Sequence, residues 1–268
     1  MNIYFHTLGC KVNQYETESM REALIKSGHT NDKNLPADAV VINSCTVTAE
    51  SDRKTRQIVR RCRREHPDAV IVLTGCMVQA FPDDAKKLSN ADIIIGNRDI
   101  SKVVDAVNKY NNNRVFDIST HKTGDLYNTA GISRFNERTR AFMKIPFARG
   151  KVRSRNIEDI KQEAERLAEN GFCEIVLVGI NLTSYGKGET FDLCDAIDAV
   201  CAVDKICRVR LGSLEPDHIT DRMLERMKAQ PKFCPQFHLS LQSGCDATLK
   251  RMNRHYDTAF YDDLVKRI

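Results

Sequence analysis

Three cysteines, Cys10, Cys45 and Cys76, each follow a short apolar run: Ile3–Leu8, Ala39–Ile42 and Ala69–Leu73. The runs have strand length and are mostly rich in β-branched or aromatic residues. Their ends read Thr7-Leu8-Gly9-Cys10, Ile42-Asn43-Ser44-Cys45 and Leu73-Thr74-Gly75-Cys76. The spacings, 35 and 31 residues, each suit one strand–helix–strand unit. Strands in such units run parallel and their carboxyl ends meet at one edge, so three thiols from distant sequence arrive at one place. Packing inside a core is common for cysteine. Three at one topological position, each where a helix N-terminus favours the thiolate, point instead to a metal or cluster site. Zinc would take a fourth protein ligand, and none stands beside them. An iron–sulfur cluster held by three thiolates, with one iron open to a substrate or exogenous ligand, fits the set.

The chain that must position these thiols has 268 residues, 41% of them apolar, which suits about two domains with real cores. No apolar stretch has membrane-spanning length, and Met1-Asn2-Ile3-Tyr4-Phe5-His6 carries neither a basic leader nor an apolar signal core. A cytoplasmic location is expected. Ten cysteines in a reducing compartment favour metal, cluster or catalytic roles over disulfides. The net charge of +5 is too mild to predict nucleic-acid binding by itself.

Strands and helices alternate through the first part. Asn13 to Lys26 carries Tyr15, Met20, Ala23 and Leu24 on one helical stripe, and Gly28 suits the position past its end. Ala49–Glu65 is again helical and stops before Pro67. A strand over Asp92–Ile95, a helix over Ser101–Tyr110 and an edge strand at Arg114–Asp117 complete an open doubly wound parallel sheet in an α/β fold. Gly9 stands alone, so the sequence lacks a dinucleotide-binding glycine fingerprint. Residues 1–117 are read as the first domain and polar residues 118–139 as a linker, which leaves 140–268 as the second domain.

In the second domain, strands are expected at Ala141–Ile145, Glu174–Val178, Cys207–Leu211 and Gln236–Leu241. Helices are expected at Ile157–Glu169, Phe191–Val203 and Asp217–Met227, and from Ala247 to the end. Four strands with their helices make a partial (β/α) barrel, and the pattern stops mid-helix at Ile268, as in a truncated domain.

The segments Thr7-Leu8-Gly9-Cys10-Lys11-Val12-Asn13-Gln14-Tyr15-Glu16, Asn43-Ser44-Cys45-Thr46-Val47-Thr48 and Thr74-Gly75-Cys76 resemble the radical-SAM tRNA methylthiotransferases. So do Gly179-Ile180-Asn181-Leu182-Thr183-Ser184-Tyr185-Gly186, Arg210-Leu211-Gly212-Ser213-Leu214-Glu215-Pro216 and His238-Leu239-Ser240-Leu241-Gln242-Ser243-Gly244. The branch most similar acts on threonylcarbamoyladenosine beside the tRNA anticodon. The resemblance implies that Cys10, Cys45 and Cys76 hold an auxiliary 4Fe–4S cluster that takes part in handling the inserted sulfur. It further implies S-adenosylmethionine as cofactor, tRNA as partner, and an electron donor such as a flavodoxin or ferredoxin. A monomer without membrane association is expected.

One family element has no counterpart. Radical-SAM enzymes hold a second 4Fe–4S cluster on a Cys-x-x-x-Cys-x-x-Cys loop after the first barrel strand, and its open iron binds and cleaves S-adenosylmethionine. Here Ala141-Phe142-Met143-Lys144-Ile145 runs straight into Pro146-Phe147-Ala148-Arg149-Gly150, and the motif occurs nowhere in the chain. The family's last barrel strands and small carboxyl-terminal RNA-binding barrel also have no counterpart in the sequence. Cys62, Cys173, Cys194, Cys201, Cys207, Cys234 and Cys245 are expected to be packed thiols. Two readings follow: a methylthiotransferase that lacks radical activity as written, or a non-catalytic iron–sulfur and RNA-binding remnant.

Arg53, Lys54, Arg56, Arg60, Arg61, Arg63 and Arg64 crowd one helix with no acid between them, which leaves Ile58, Val59 and Cys62 to face the core. Mutual repulsion there would be relieved by a polyanion, so Arg53, Arg56, Arg60 and Arg64 are candidate RNA contacts. Arg149, Lys151, Arg153 and Arg155 alternate with small or apolar residues and would project to one side of an extended chain, as phosphate contacts do. Asn181, Ser213, Glu215, Ser240 and Gln242 follow barrel strands and are candidates for holding S-adenosylmethionine. Turn and capping roles are equally open for Asn181 and Ser213, and Glu215-Pro216 suits a helix start. His238, inside a strand, reads as a core histidine.

Overall fold

The computed structural model describes residues 1–46, 49–97, 100–118, 131–135, 139–147 and 153–268. The chain divides into two units, Met1–Arg134 and Phe135–Ile268. Most of the expected linker, at 119–130 and 136–138, lies outside the described residues.

In the first unit the order is β1 (Ile3–Thr7), α1 (Lys11–Lys26), β2 (Ala39–Ser44), α2 (Ala49–Glu65), β3 (Val70–Gly75), α3 (Cys76–Ala80), α4 (Pro82–Lys86), β4 (Ile93–Ile95), α5 (Ile100–Asn108) and β5 (Val115–Asp117). All five strands are parallel, in the spatial order β1-β2-β3-β4-β5. Alternate residues of the buried strands face opposite helical layers. Val40, Ile42, Ile71, Leu73 and Ile94 pack on Val59 and Cys62 of α2 and on Met77, Val78 and Ala85 of α3 and α4. Ala39, Val41, Val72, Ile93 and Ile95 pack on Met20 and Leu24 of α1 and Val103, Val104 and Val107 of α5. Burial on both faces is why these strands are continuously apolar rather than alternating. The α/β architecture with helices on both faces is as expected. The strand order never reverses direction, so the cysteines do not meet at a switch point but at the ends of three consecutive strands.

Register makes those ends flush. Thr7 pairs with Asn43, Asn43 with Thr74, and Ser44 with Gly75. With about 4.8 Å between neighbouring strands, the three ends span roughly 10 Å.

The second unit contains β6 (Ala141–Lys144), β7 (Pro146–Phe147), β8 (Arg153–Ser154), α6 (Ile157–Glu169), β9 (Glu174–Val178), α7 (Leu193–Cys201), β10 (Arg208–Leu211), β11 (Ser213–Leu214), α8 (Asp221–Ala229), β12 (His238–Leu239), α9 (Asp246–Arg251) and α10 (Thr258–Arg267). Strands β6, β9 and β10 form a parallel sheet with β9 central, and β11 pairs in parallel with β12. Helices start on real caps. The Asn156 side chain accepts from the Glu158 amide, Asp192 forms a capping box with Asp195, and Thr220 and Asp257 cap α8 and α10.

Several expected boundaries move for local reasons. Thr220 caps α8, so the helix begins at Asp221 after a separate 3-10 turn at Pro216–His218. The single helix expected beyond Ala247 is two, divided where Asn253 adopts φ +54°. The strand expected at Gln236–Leu241 contracts to His238–Leu239, and His238 is exposed rather than a core histidine. Helices α3 and α4 and the antiparallel pairing of β7 with β8 were not legible in the sequence pattern.

Candidate metal centre and nucleic-acid face

Cys10 is the N-cap of α1, Cys45 directly follows β2, and Cys76 opens α3. Cys45 and Cys76 are buried and Cys10 is exposed, so the group opens outward on the β1 side. Gly9 has φ +95°, and a Cβ there would lie 2.6 Å from both Cβ and Sγ of Cys45. Gly75 has φ +100°, and a Cβ there would collide with the Ser44 carbonyl oxygen. Both glycines permit a close approach that any side chain would block.

Beneath the thiols lies a buried polar floor. Asn13 Oδ1 is 3.7 Å from Cys10 Sγ and 3.8 Å from Cys76 Sγ. Asn13 Nδ2 donates to the carbonyls of Leu8 and Ser44, at 2.9 and 2.8 Å. Asn43 Nδ2 donates to the Asn13 carbonyl, and Ser44 Oγ to that of Thr74. Asn97 Nδ2 stands 4.0 Å from Cys76 Sγ. Among the described residues, the buried side-chain oxygens of Asn43 and Asn97 lack a hydrogen-bond partner. Sequence reasoning missed these asparagines. The available signal was Asn43-Ser44 closing an otherwise apolar run, where polar groups inside a core need a purpose.

Among the described residues, no three His, Cys, Asp or Glu side chains converge closely enough to hold a single metal ion. A cubane spreads its ligands more widely than one ion does. Three soft thiols, no imidazole or carboxylate among them, and an exposed side at Cys10 fit an iron–sulfur cluster rather than mononuclear zinc. Of the other cysteines, Cys62, Cys194, Cys201 and Cys234 are packed as expected. Burial pushes the Cys194 thiol up to about 11 and the Cys201 thiol to about 12, which makes both poor ligands at neutral pH. Cys173, Cys207 and Cys245 are exposed, correcting the packed reading. Cys173 and Cys207 immediately precede β9 and β10, ahead of where the sheet buries its residues, and Cys245 is the N-cap of α9. The amide of Thr248 lowers the Cys245 thiol from its ordinary value.

Helix α2 presents its cations as expected, with Val59 and Cys62 buried and Ile58 half-buried against the core. Acids outside the cationic run neutralise part of it. Arg53 binds Glu50 through two hydrogen bonds of 2.8 and 2.6 Å, and Arg56 lies 3.7 Å from Asp84. Arg63 pairs with Asp92 and also holds the carbonyls of Pro67 and Ala69. Arg60 and Arg64 are exposed and join no ion pair among the described residues; with Lys54, Gln57, Ile58 and Arg61 they line a groove of about 400 Å³. If this face contacts RNA phosphates, reversing Arg60 and Arg64 together to Glu is expected to flatten the salt dependence of RNA affinity by roughly one unit for each phosphate no longer neutralised. Filter binding across a salt series measures this, and an unchanged slope returns the helix to a merely solvated surface.

The second basic cluster fares differently. Arg149 and Lys151 lie outside the described residues, and Arg153 is half-buried in β8. Arg155 is not available to RNA. Its side chain is 2% exposed and pairs with Glu163, 0% exposed, at 2.5 Å.

The candidate S-adenosylmethionine residues all follow strand carboxyl ends in the second unit. Pairing of β11 with β12 brings the Ser213 and Ser240 hydroxyls to 3.1 Å. Glu215 is gripped by Arg254 Nη1 through both carboxylate oxygens at 3.0 Å, and Pro216 opens the 3-10 turn. The Tyr256 hydroxyl donates to the Ser240 carbonyl. Asn181 and Gln242 adopt φ +55° and +65° and share no hydrogen bond with the serine pair among the described residues.

Comparison with known proteins bears on both units. Residues 2–96 match the model of Uncharacterized protein family UPF0004, and residues 134–268 that of the Radical SAM superfamily. Proteins named threonylcarbamoyladenosine tRNA methylthiotransferase MtaB are similar along the whole chain. That of Bacillus subtilis is 34% identical over 99% of this chain and 63% of its own length; that of Aquifex aeolicus is 32% identical over 100% and 69%. The tRNA-2-methylthio-N(6)-dimethylallyladenosine synthase of Clostridium botulinum is 31% identical over 99% and 64%. The chain thus spans about two thirds of the length of these relatives. A solved structure of the radical S-adenosylmethionine methyltransferase TsrM from Kitasatospora setae, with cobalamin and a [4Fe-4S] cluster bound, shares the fold. Its TM-score is 0.60 at 11% identity, covering 100% of this chain and 65% of that one. With its characteristic cysteine-bearing sheet followed by a radical-SAM-type unit, the chain belongs to the radical-SAM tRNA methylthiotransferase family.

Proposed function

We propose that the chain derives from a methylthiotransferase acting on threonylcarbamoyladenosine in tRNA, and that it retains the sulfur-handling iron–sulfur site while lacking S-adenosylmethionine cleavage. The observation that carries this is the flush row of three strand ends with Cys10, Cys45 and Cys76 beyond it. The threonylcarbamoyl branch is favoured because relatives of that name reach 34% identity, against 31% for the dimethylallyladenosine synthases.

Cys10, Cys45 and Cys76 would hold the auxiliary cluster, and a bound cluster supplies a place where sulfur is kept for insertion. The chain's own part is preparation. Gly9 lets the β1–α1 turn close over Cys45, and Cys10 stands at the N-cap of α1. The exposed flank at Cys10 leaves one side of the site accessible to substrate. Arg60 and Arg64 of α2 would meet the phosphates of tRNA and position it without reading its bases. No helix among the described residues is long and apolar enough to cross a membrane. Action on tRNA in the cytoplasm accords with that.

The second half of the reading rests on the Ile145–Pro146 junction. The Ile145 amide donates to the Val178 carbonyl, and the Ile145 carbonyl accepts from the Arg155 amide. Pro146 sits so close over Gly179 that a Cβ there would collide with Pro146 Cγ. The alignment with the Bacillus subtilis relative runs over 284 positions against 268 residues here, so that relative carries residues this chain lacks. Without a Cys-x-x-x-Cys-x-x-Cys motif nothing chelates the amino and carboxylate groups of S-adenosylmethionine to an open iron. Reconstituted and reduced with dithionite, the chain is expected to yield no 5′-deoxyadenosine above a protein-free background. Product above that background overturns this half of the reading. Inserting a family-type cysteine loop between Ile145 and Pro146 should bring a second cluster's worth of iron.

A further inference from the structure

We infer that Asn13 is the positioning residue of the three-thiol site, setting the Cys10 and Cys76 sulfurs before iron arrives and tuning the cluster afterwards. This rests on the assignment of Cys10, Cys45 and Cys76 as ligands.

The carboxamide orientation follows from its partners. Two carbonyl oxygens, of Leu8 and Ser44, face Nδ2 at 2.9 and 2.8 Å, and the flipped group would set oxygen against oxygen. Oδ1 must therefore point the other way, and there it finds Cys10 Sγ at 3.7 Å and Cys76 Sγ at 3.8 Å. Asn13 is 1% exposed, and its backbone carbonyl accepts from Asn43 Nδ2 at 3.0 Å and Thr17 Oγ1 at 2.9 Å. One side chain thus joins the end of β1 through Leu8, the end of β2 through Ser44, and the thiol just beyond β3. Among the described residues, none of the other side chains beneath the site reaches all three.

In the metal-free chain both thiols donate to Oδ1, which fixes their side-chain directions. With a cluster bound, Asn13 Oδ1 faces two electron-rich sulfurs, and its negative end opposes the added electron of a reduced cluster. Asn97 Nδ2, 4.0 Å from Cys76 Sγ, acts in the opposite sense. Hydrogen bonding and local dipoles at the sulfurs are recognised levers on cluster potential.

The test is redox titration of the reconstituted protein, monitored by electron paramagnetic resonance, together with the rate of iron uptake. Asn13→Leu removes the oxygen and should shift the midpoint potential upward. Asn13→Asp keeps the size, removes both donors and adds negative charge, and should shift it downward. Asn97→Leu should also shift it downward. Iron uptake should slow at least several-fold in both Asn13 variants. A merely structural role predicts no opposed pair of shifts. Shifts of one sign in the two Asn13 variants, or wild-type potential and uptake in both, overturn the inference. If Asn13→Leu fails to fold by circular dichroism, the downward shift in Asn13→Asp and Asn97→Leu decides it. Cys45→Ala run alongside separates the two assignments. Retention of its cluster defeats the ligand set, whereas its loss beside unaltered Asn13 variants defeats the positioning role alone.

Discussion

If Cys10, Cys45 and Cys76 are the ligand set proposed above, anaerobic reconstitution with iron and sulfide is expected to load about one 4Fe–4S cluster per chain. Replacing Cys45 by Ala is expected to abolish loading. Cys45 is buried, with its Sγ in the space left by the missing side chain of Gly9. Replacing Cys10 or Cys76 should have the same outcome. Cys194→Ala should leave the iron content unchanged, since that thiol is buried in the second unit and approaches the Met223 carbonyl at 3.9 Å. Iron and sulfide analysis with visible absorption measures each case. Two clusters per chain, or full loading in Cys45→Ala, would falsify the assignment.

The second large effect is on stability. Replacing Arg155 by Met is expected to cost about 3–5 kcal/mol, because it breaks a buried ion pair with Glu163. Arg155 also donates to the carbonyls of Lys144 and Asp159, and its own carbonyl accepts from the Tyr185 hydroxyl at 2.7 Å. It therefore links the end of β6, the first turn of α6 and the Tyr185 turn. The double replacement Arg155→Met with Glu163→Leu should recover part of the loss, since both charges of the pair are then removed. Denaturant unfolding of all three proteins measures this. A single variant within about 1 kcal/mol of the parent would show that the pair is no more than a surface-type bridge.

These outcomes separate what neighbouring residues encode from what distant ones decide. Cys10, Cys45 and Cys76 were legible as a group at one edge of the sheet because each follows its own strand by no more than three residues, and strand and helix periods are local. For the same reason α2, α6 and β9 have the bounds expected of them, Ala49–Glu65, Ile157–Glu169 and Glu174–Val178. Arg155 was misread as an RNA contact because alternation with small residues says only that side chains share a side. It cannot say that the side faces Glu163 in the following helix. The seven cations of α2 looked mutually repulsive because no acid lies between them: Glu50 and Glu65 flank the run, and Asp84 and Asp92, which meet Arg56 and Arg63, stand about thirty residues away.

The sequence by itself determined the parallel α/β sheet, the three cysteines at its carboxyl edge and the lack of a Cys-x-x-x-Cys-x-x-Cys motif. Apolar period, cysteine placement and motif spacing are all properties of short stretches of chain. Only the tertiary structure decided that the three strands are neighbours with flush ends and that Asn13 ties the thiols together. It also decided that, of the α2 candidates, Arg60 and Arg64 are the two outside any ion pair among the described residues. Each of these depends on hydrogen-bond acceptors or charges set by packing between elements, which local pattern does not supply.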